Sequence, residues 1–92
     1  IIKKSLRLLL DGVPEDISYE EVGTTLEEVP GVKSVHDLHV WNMDGNEIAL
    51  SAHVTISDFQ KWPEILSIAR NQLEAKFGIT HVTIQPEEEE HA

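Results

Sequence analysis

The 92-residue sequence contains no cysteine. A disulfide framework and a thiolate metal site are therefore both excluded, and the composition fits a reducing compartment. No uninterrupted apolar run approaches the ~20 residues that a membrane-spanning helix requires, and no signal peptide is recognisable. The chain begins with Ile1 rather than Met, so we expect it to be part of a longer protein.

Basic residues are also scarce. Seven Lys and Arg residues face seventeen Asp and Glu residues, and the formal net charge is -10. A surface of this charge repels phosphate backbones and attracts cations, so we expect no nucleic-acid partner. Three of the seven bases, Lys3, Lys4 and Arg7, lie at the start of the chain, and residues 87–90 are all glutamate. The basic start fits either a solvated linker or a segment near an anionic membrane face.

The sequence contains no recognisable catalytic motif. Its five glycines are dispersed and form no phosphate-binding loop. Ser51 lies in the middle of a predicted strand rather than on a nucleophile elbow. Paired carboxylates occur only on helix faces and in the tail, where solvation explains them. We therefore predict that the chain is not an enzyme.

Two helices are predicted from capping signals and apolar spacing. The first begins after Ser18, which forms a capping box with Glu21, and it ends before Pro30 and Gly31. The second begins near Pro63 and ends at Gly78. Their apolar faces comprise Val22, Leu26 and Val29 in the first helix, and Ile65, Leu66, Ala69, Leu73 and Phe77 in the second.

A β-hairpin lies between the helices, with its turn at Asp44 and Gly45. A three-residue loop, residues 44–46, places Asp37 opposite His53. It also leaves His36 on the core face unless a bulge turns that side chain to the rim. A two-residue loop instead pairs His36 with His53. The sequence leaves both alternatives open.

A final strand, THVTIQ, follows the second helix, and we expect Pro86 to end it. The predicted order is α-β-β-α-β, which indicates an α+β two-layer sandwich with a three-stranded mixed sheet. The last strand pairs parallel to a hairpin strand, and both helices cover one face of the sheet. The other face is predicted to be open and suited to self-association, and it carries His39, Trp41, Ser51, His53, Thr83 and Gln85.

Imidazole and carboxylate groups are abundant on the strands, and both are common zinc ligands. A single strand histidine is more often a surface residue than a ligand. The predicted topology, however, brings residues of separate strands to one end of the sheet. The candidate ligands are His36, Asp37, His39, His53, His81 and Glu87.

Three motifs in order, VHDLHVW, LSAHV and HVTIQ followed by an acid, resemble the C-terminal cytoplasmic domain of cation diffusion facilitators. These proteins export zinc, cadmium and cobalt. The resemblance extends from about Leu8, in LLLDGVPEDIS, to Glu87, and so covers most of the chain. It implies a metallochaperone-like (ferredoxin-like) fold, in agreement with the element order. It also implies a V-shaped homodimer below a transmembrane metal/proton antiporter, with metal binding that draws the two arms together.

The resemblance also implies a ligand set. His36, His53 and Glu87 occupy positions of family zinc ligands. Some relatives carry further histidines in the second helix and at the position of Gln85, and this chain does not. The fourth ligand that zinc usually takes is therefore left to water, to the partner chain or to another histidine. Cd²⁺, Co²⁺ and Ni²⁺ accept the same donors.

The sequence thus predicts the cytoplasmic regulatory and dimerisation domain of a divalent-cation efflux transporter at the bacterial inner membrane. Residues 1–14 are the expected linker from the transmembrane part, residues 15–86 the metal-binding domain, and residues 87–92 an acidic tail. The alternatives are a purely structural dimerisation module, a free-standing metal chaperone and a small enzyme.

Overall fold

The computed structural model describes residues 17–45 and 47–89. The predicted linker, residues 1–14, lies outside the described residues, as do residues 15, 16, 46 and 90–92. In chain order the elements are α1 (Tyr19–Glu27), β1 (Val32–Asn42), β2 (Ile48–Ile56), a 3-10 turn (Phe59–Lys61), α2 (Trp62–Phe77) and β3 (Ile79–Glu88). The predicted α+β class and the predicted element order are both confirmed.

Local capping residues mark the start of α1 and both ends of α2. The side chain of Ser18 accepts a hydrogen bond from the backbone N–H of Glu21 at 3.2 Å, as expected of the N-cap of α1. Pro63 lies in the first turn of α2, where its missing N–H has no helical partner. Gly78 ends α2 in the left-handed conformation, with a φ of 70°.

The sheet has the order β1-β2-β3, so that β2 is central. β1 and β2 pair antiparallel, and β2 and β3 pair parallel, as predicted. Next to the turn Val40 pairs with Leu50, and the N–H of Met43 donates to the carbonyl of Glu47 at 2.7 Å. This is the register of the predicted three-residue loop. A register shift between His36 and His39 then changes the pairing further along the hairpin.

The prediction that Pro86 ends the last strand is wrong. β3 continues to Glu88, with Pro86 opposite Val54 and Glu87 opposite Thr55. The N–H of Glu89 extends the contact by donating to the carbonyl of Ile56 at 2.9 Å. A proline is tolerated here because β3 is an edge strand, where one side of the backbone needs no ladder partner. Residues 87 and 88 of the predicted tail therefore belong to the sheet.

The core lies between the two helices and one face of the sheet. Its fully buried side chains are Val22 and Leu26 of α1, Leu73 of α2, Val35, Leu38 and Val40 of β1, Leu50, Val54 and Ile56 of β2, and Ile79 of β3. The other face of the sheet is uncovered, and Trp41 on it is 40% exposed. Within the described residues, no helix combines the length and apolar character needed to cross a membrane.

Candidate metal centre

Each of the three strands contributes one side chain to a cluster at one end of the open face. The cluster consists of His36 from β1, His53 from β2 and Glu87 from β3, and we refer to it as the His-His-Glu cluster. One ligand atom from each residue lies within 4.8 Å of the others. It is the only group of three or more potential ligands within residues 17–45 and 47–89. The predicted set of three residues is therefore brought together in space.

Glu87 connects the two imidazoles. One of its carboxylate oxygens lies 3.0 Å from Nε2 of His36, and the other lies 2.7 Å from Nδ1 of His53. The two rings are tilted by 57° with their centroids 5.4 Å apart. Each carboxylate oxygen thus faces a ring nitrogen of one histidine. The oxygens and the ring nitrogens can all serve as metal ligands.

His36 reaches the open face because of the register shift in β1. His36 pairs with His53, whereas His39 pairs with Ser51, so that Asp37 and Leu38 together oppose the single residue Ala52. This is a β-bulge. The sequence left open whether a bulge or a shorter loop would pair the two histidines, and the bulge accounts for it. The same bulge removes Asp37 from its predicted position opposite His53.

Glu87 reaches the cluster because β3 extends past Pro86. Parallel pairing places Gln85 opposite His53 and Glu87 opposite Thr55, one residue pair further along the same face. Alternation along a strand then aims the side chains of residues 53, 55, 85 and 87 to the open side. Had β3 ended at Pro86, nothing would hold this carboxylate against the two rings.

The cluster sits at the rim of the fold. The side chains of His36, His53 and Glu87 are exposed by 34%, 37% and 36% respectively. Partial exposure leaves the cluster accessible to a solvated ion. It also means that contacts within the cluster are screened by solvent and contribute little to stability by themselves.

The other candidate ligands lie apart from this cluster. Asp37 occupies the bulge, and His39 is exposed further along the open face. Nε2 of His81 contacts a carboxylate oxygen of Glu47 at 2.7 Å, with side chains exposed by 48% and 61%. The His81–Glu47 contact joins the start of β3 to the hairpin turn. The sequence did not predict this contact, because the two residues are 34 positions apart and meet only through the parallel pairing of β2 with β3.

The donor set of the His-His-Glu cluster fits a divalent metal ion. Two ligands bound to one zinc ion at ~2.0–2.1 Å in tetrahedral geometry are roughly 3.3 Å apart. The two histidine–carboxylate contacts, at 3.0 and 2.7 Å, are slightly shorter than this, and one ligand atom from each of the three residues lies within 4.8 Å of the others. Side-chain rotations would adjust these distances to those of a bound ion. Imidazole nitrogens suit Zn²⁺, Co²⁺ and similar ions, and a carboxylate often completes such a ligand set.

Comparison with known proteins finds relatives among cation efflux proteins. Residues 14–89 match the family model described as the cytoplasmic domain of cation efflux proteins. The metal cation efflux system protein CzcD of Cupriavidus metallidurans is 44% identical over 87 residues, which are 92% of this chain and 27% of that protein. The cadmium, cobalt and zinc/H⁺-K⁺ antiporter of Bacillus subtilis is 38% identical over 94 residues, covering 99% of this chain and 30% of that protein. The chain thus spans less than a third of these relatives.

Solved structures show the same fold. The metal-bound C-terminal domain of the CzcD transporter from Cupriavidus metallidurans has a TM-score of 0.72 and 39% identity, and the match covers 77% of this chain and 99% of that chain. A variant of the MamM C-terminal domain has a TM-score of 0.66 at 20% identity, covering 77% of this chain and 90% of that chain. At that identity the second likeness supports the fold alone.

Proposed function

Because the chain belongs to the family of cytoplasmic domains of cation efflux proteins, we propose that it is the regulatory and dimerisation domain of a divalent-cation efflux transporter. In this proposal it binds Zn²⁺ or a similar ion at His36, His53 and Glu87. The observation that carries the proposal is the convergence of these three side chains, from three strands, to within 4.8 Å. Residues this far apart in sequence meet only if the fold places them together.

The relatives support the transport context. Their names describe metal efflux and Cd/Co/Zn antiport rather than an enzymatic reaction, and we propose that this chain likewise has no enzymatic activity. Its partners are then a second copy of itself and its own transmembrane domain. Its location is the cytoplasmic side of the membrane, which we take to be the bacterial inner membrane. The whole transporter would act as a metal/proton antiporter.

We propose Zn²⁺ as the regulatory ion, with Cd²⁺, Co²⁺ and Ni²⁺ as chemically acceptable substitutes. The imidazole nitrogens of His36 and His53 and one carboxylate oxygen of Glu87 would hold it. Zinc is usually four-coordinate, so water or a group from the partner chain supplies the remaining ligand. When bound, the ion adds two positive charges at the edge of an acidic domain.

Charge explains how binding at this site would be linked to dimer geometry. Each chain carries a formal net charge of -10, so two copies repel one another. A bound metal ion reduces the negative charge of each chain and so lowers the repulsion between the two copies. Binding shifts the equilibrium toward the closed dimer only if the closed form binds the ion more tightly. A tenfold preference corresponds to about 1.4 kcal/mol, which suffices for a graded response.

The open sheet face is the surface that we assign to dimerisation. Trp41 is 40% exposed and Met43 is 43% exposed. Trp41 lies near the end of β1, and Met43 follows at the start of the hairpin turn. Exposed patches of large apolar side chains mark contact surfaces.

A second candidate is a purely structural dimerisation module, and one observation favours it. The carboxylate oxygens of Glu87 lie 3.0 Å from a ring nitrogen of His36 and 2.7 Å from a ring nitrogen of His53. These two polar contacts can by themselves link the three strands through Glu87. In that case the histidines would serve the fold, and metal would not alter dimerisation.

Calorimetric titration of Zn²⁺ into the 92-residue chain, with mass followed by light scattering, separates the two candidates. The test variant is His36→Ala/His53→Ala. The matched control is His39→Ala/His81→Ala. It likewise removes two imidazoles, one from β1 and one from β3, but leaves the His-His-Glu cluster intact. We expect saturable binding by the wild type and the control, loss of binding in the test variant, and a metal-dependent change of mass or shape.

Equal heats from the test variant and the wild type would refute the metal site. Saturable binding with no effect on dimerisation would refute the regulatory role and leave a metal-binding dimerisation module.

A further inference from the structure

The β-bulge in β1 contains a backbone conformation that few residues adopt. Asp37 has a φ of 54°, in the left-handed region, and it is the one non-glycine residue with positive φ among the described residues. Asp37 and Leu38 face Ala52 as two residues against one. The first position of such a bulge is often a glycine in the left-handed conformation. Here an aspartate occupies it.

The bulge decides on which face His36 lies. Val40 and Leu38 point to the core, so strict alternation would point His36 to the core as well. With one residue absorbed in the bulge, Val35 is fully buried instead, and the side chain of His36 is 34% exposed. A register shift of one residue moves every side chain beyond it, here those on the N-terminal side of the bulge, to the other face of the sheet.

We propose that Asp37 is a positioning residue for the metal site. Its left-handed backbone, rather than its carboxylate, holds His36 opposite His53 and Glu87. This inference rests on the proposed metal-binding function of that site. The carboxylate of Asp37 is not a member of the His-His-Glu cluster, so direct coordination does not account for an aspartate at this position.

The residue type fits this role. Left-handed conformations are readily adopted by glycine, and among other residues aspartate and asparagine are enriched there because their short polar side chains bond to nearby backbone. β-branched residues are strongly disfavoured in the same region. The second bulge residue is held as well, since the hydroxyl of Tyr19 donates to the carbonyl of Leu38. Helix α1 thus supports the bulge from the core side.

Four substitutions test the proposal in the 92-residue chain: Asp37→Asn, Asp37→Gly, Asp37→Ala and Asp37→Val. His39→Val is the matched control, because it places valine in the regular ladder of the same strand opposite Ser51. Co²⁺ affinity is measured by optical absorption, and folding is checked by far-UV circular dichroism. The alanine variant replaces the valine variant in the comparison if the latter does not fold.

We expect the Asn, Gly and control variants to bind Co²⁺ within about threefold of the wild type. The valine variant should bind about tenfold more weakly, equivalent to ~1.4 kcal/mol, with alanine between the two. Valine and alanine variants that bind like the wild type would overturn the proposal. Loss of affinity in the Asn and Gly variants would also overturn it, because the carboxylate would then be required.

A metal-free measurement keeps this test independent of the proposed function. The ring centroids of His36 and His53 lie 5.4 Å apart, so contacts between the two imidazoles are observable by NMR. If wild-type protein does not bind Co²⁺, the metal-binding function fails, and the NMR contacts alone decide the role of Asp37. Loss of the contact in the valine or alanine variant, with retention in the glycine variant, supports the positioning role. Retention in all variants refutes it.

Discussion

Replacement of Glu87 by glutamine is the most direct test of the His-His-Glu cluster. The substitution keeps the shape of the side chain and removes the negative charge that faces both imidazoles at 3.0 and 2.7 Å. In the metal-free protein the loss is small. The three side chains are each about one-third exposed, and contacts of this kind contribute at most ~1 kcal/mol.

The effect with metal is much larger. A ligand that binds only the folded state at 100 times its Kd stabilises that state by about 2.7 kcal/mol. For a chain of this size, this raises Tm by roughly 10–20 °C. If the loss of one of three protein ligands weakens binding about a hundredfold, the same metal concentration equals the new Kd, and the stabilisation falls to ~0.4 kcal/mol. The expected rise in Tm is then only about 2–3 °C.

Thermal unfolding followed by circular dichroism, with and without Zn²⁺, measures both effects. The matched control is Glu47→Gln, which removes the same charge from the other histidine–glutamate contact, at 2.7 Å from His81. The control should retain the full metal-induced rise in Tm. An undiminished rise in the Glu87→Gln variant would refute the assignment of Glu87 as a ligand. An equal decrease in both variants would show that net charge, rather than this site, is responsible.

Two further predictions concern the support of the fold. Gly31→Ala should lower the free energy of unfolding by about 2 kcal/mol or more, because Gly31 has a φ of 100° and an added Cβ would lie 2.7 Å from Cδ1 of Ile65. Gly78→Ala should lower it by only ~1 kcal/mol, because nothing lies within 4 Å of the added atom. Equal free energies of unfolding for the two variants, measured in urea, would contradict the steric argument. Tyr19→Phe removes the hydrogen bond to the Leu38 carbonyl and should cost about 1 kcal/mol. An unchanged urea midpoint would show that this bond does not stabilise the bulge.

The local elements of this protein were predictable because their signals are local. Only residues close in sequence determine three of these features. They are the N-cap at Ser18, the turn at Gly45 and the left-handed end of α2 at Gly78. Apolar spacing then indicated which faces are buried, and the parallel pairing of the last strand followed from the crossover that a preceding helix requires. The predicted topology indicated six candidate ligands, and the family resemblance selected His36, His53 and Glu87 among them.

Tertiary structure decided how these residues meet. Whether His36 faces the core or the open side depended on a bulge at Asp37, and the sequence allowed either a bulge or a different loop. The end of β3 was predicted too early, because proline is a local stop signal but an edge strand tolerates it when its paired side remains bonded. Only that extension brings Glu87 to the two imidazoles. Strand register and strand length are fixed by pairing between distant segments, so the sequence by itself determined the elements and their order, and the assembled sheet determined the site.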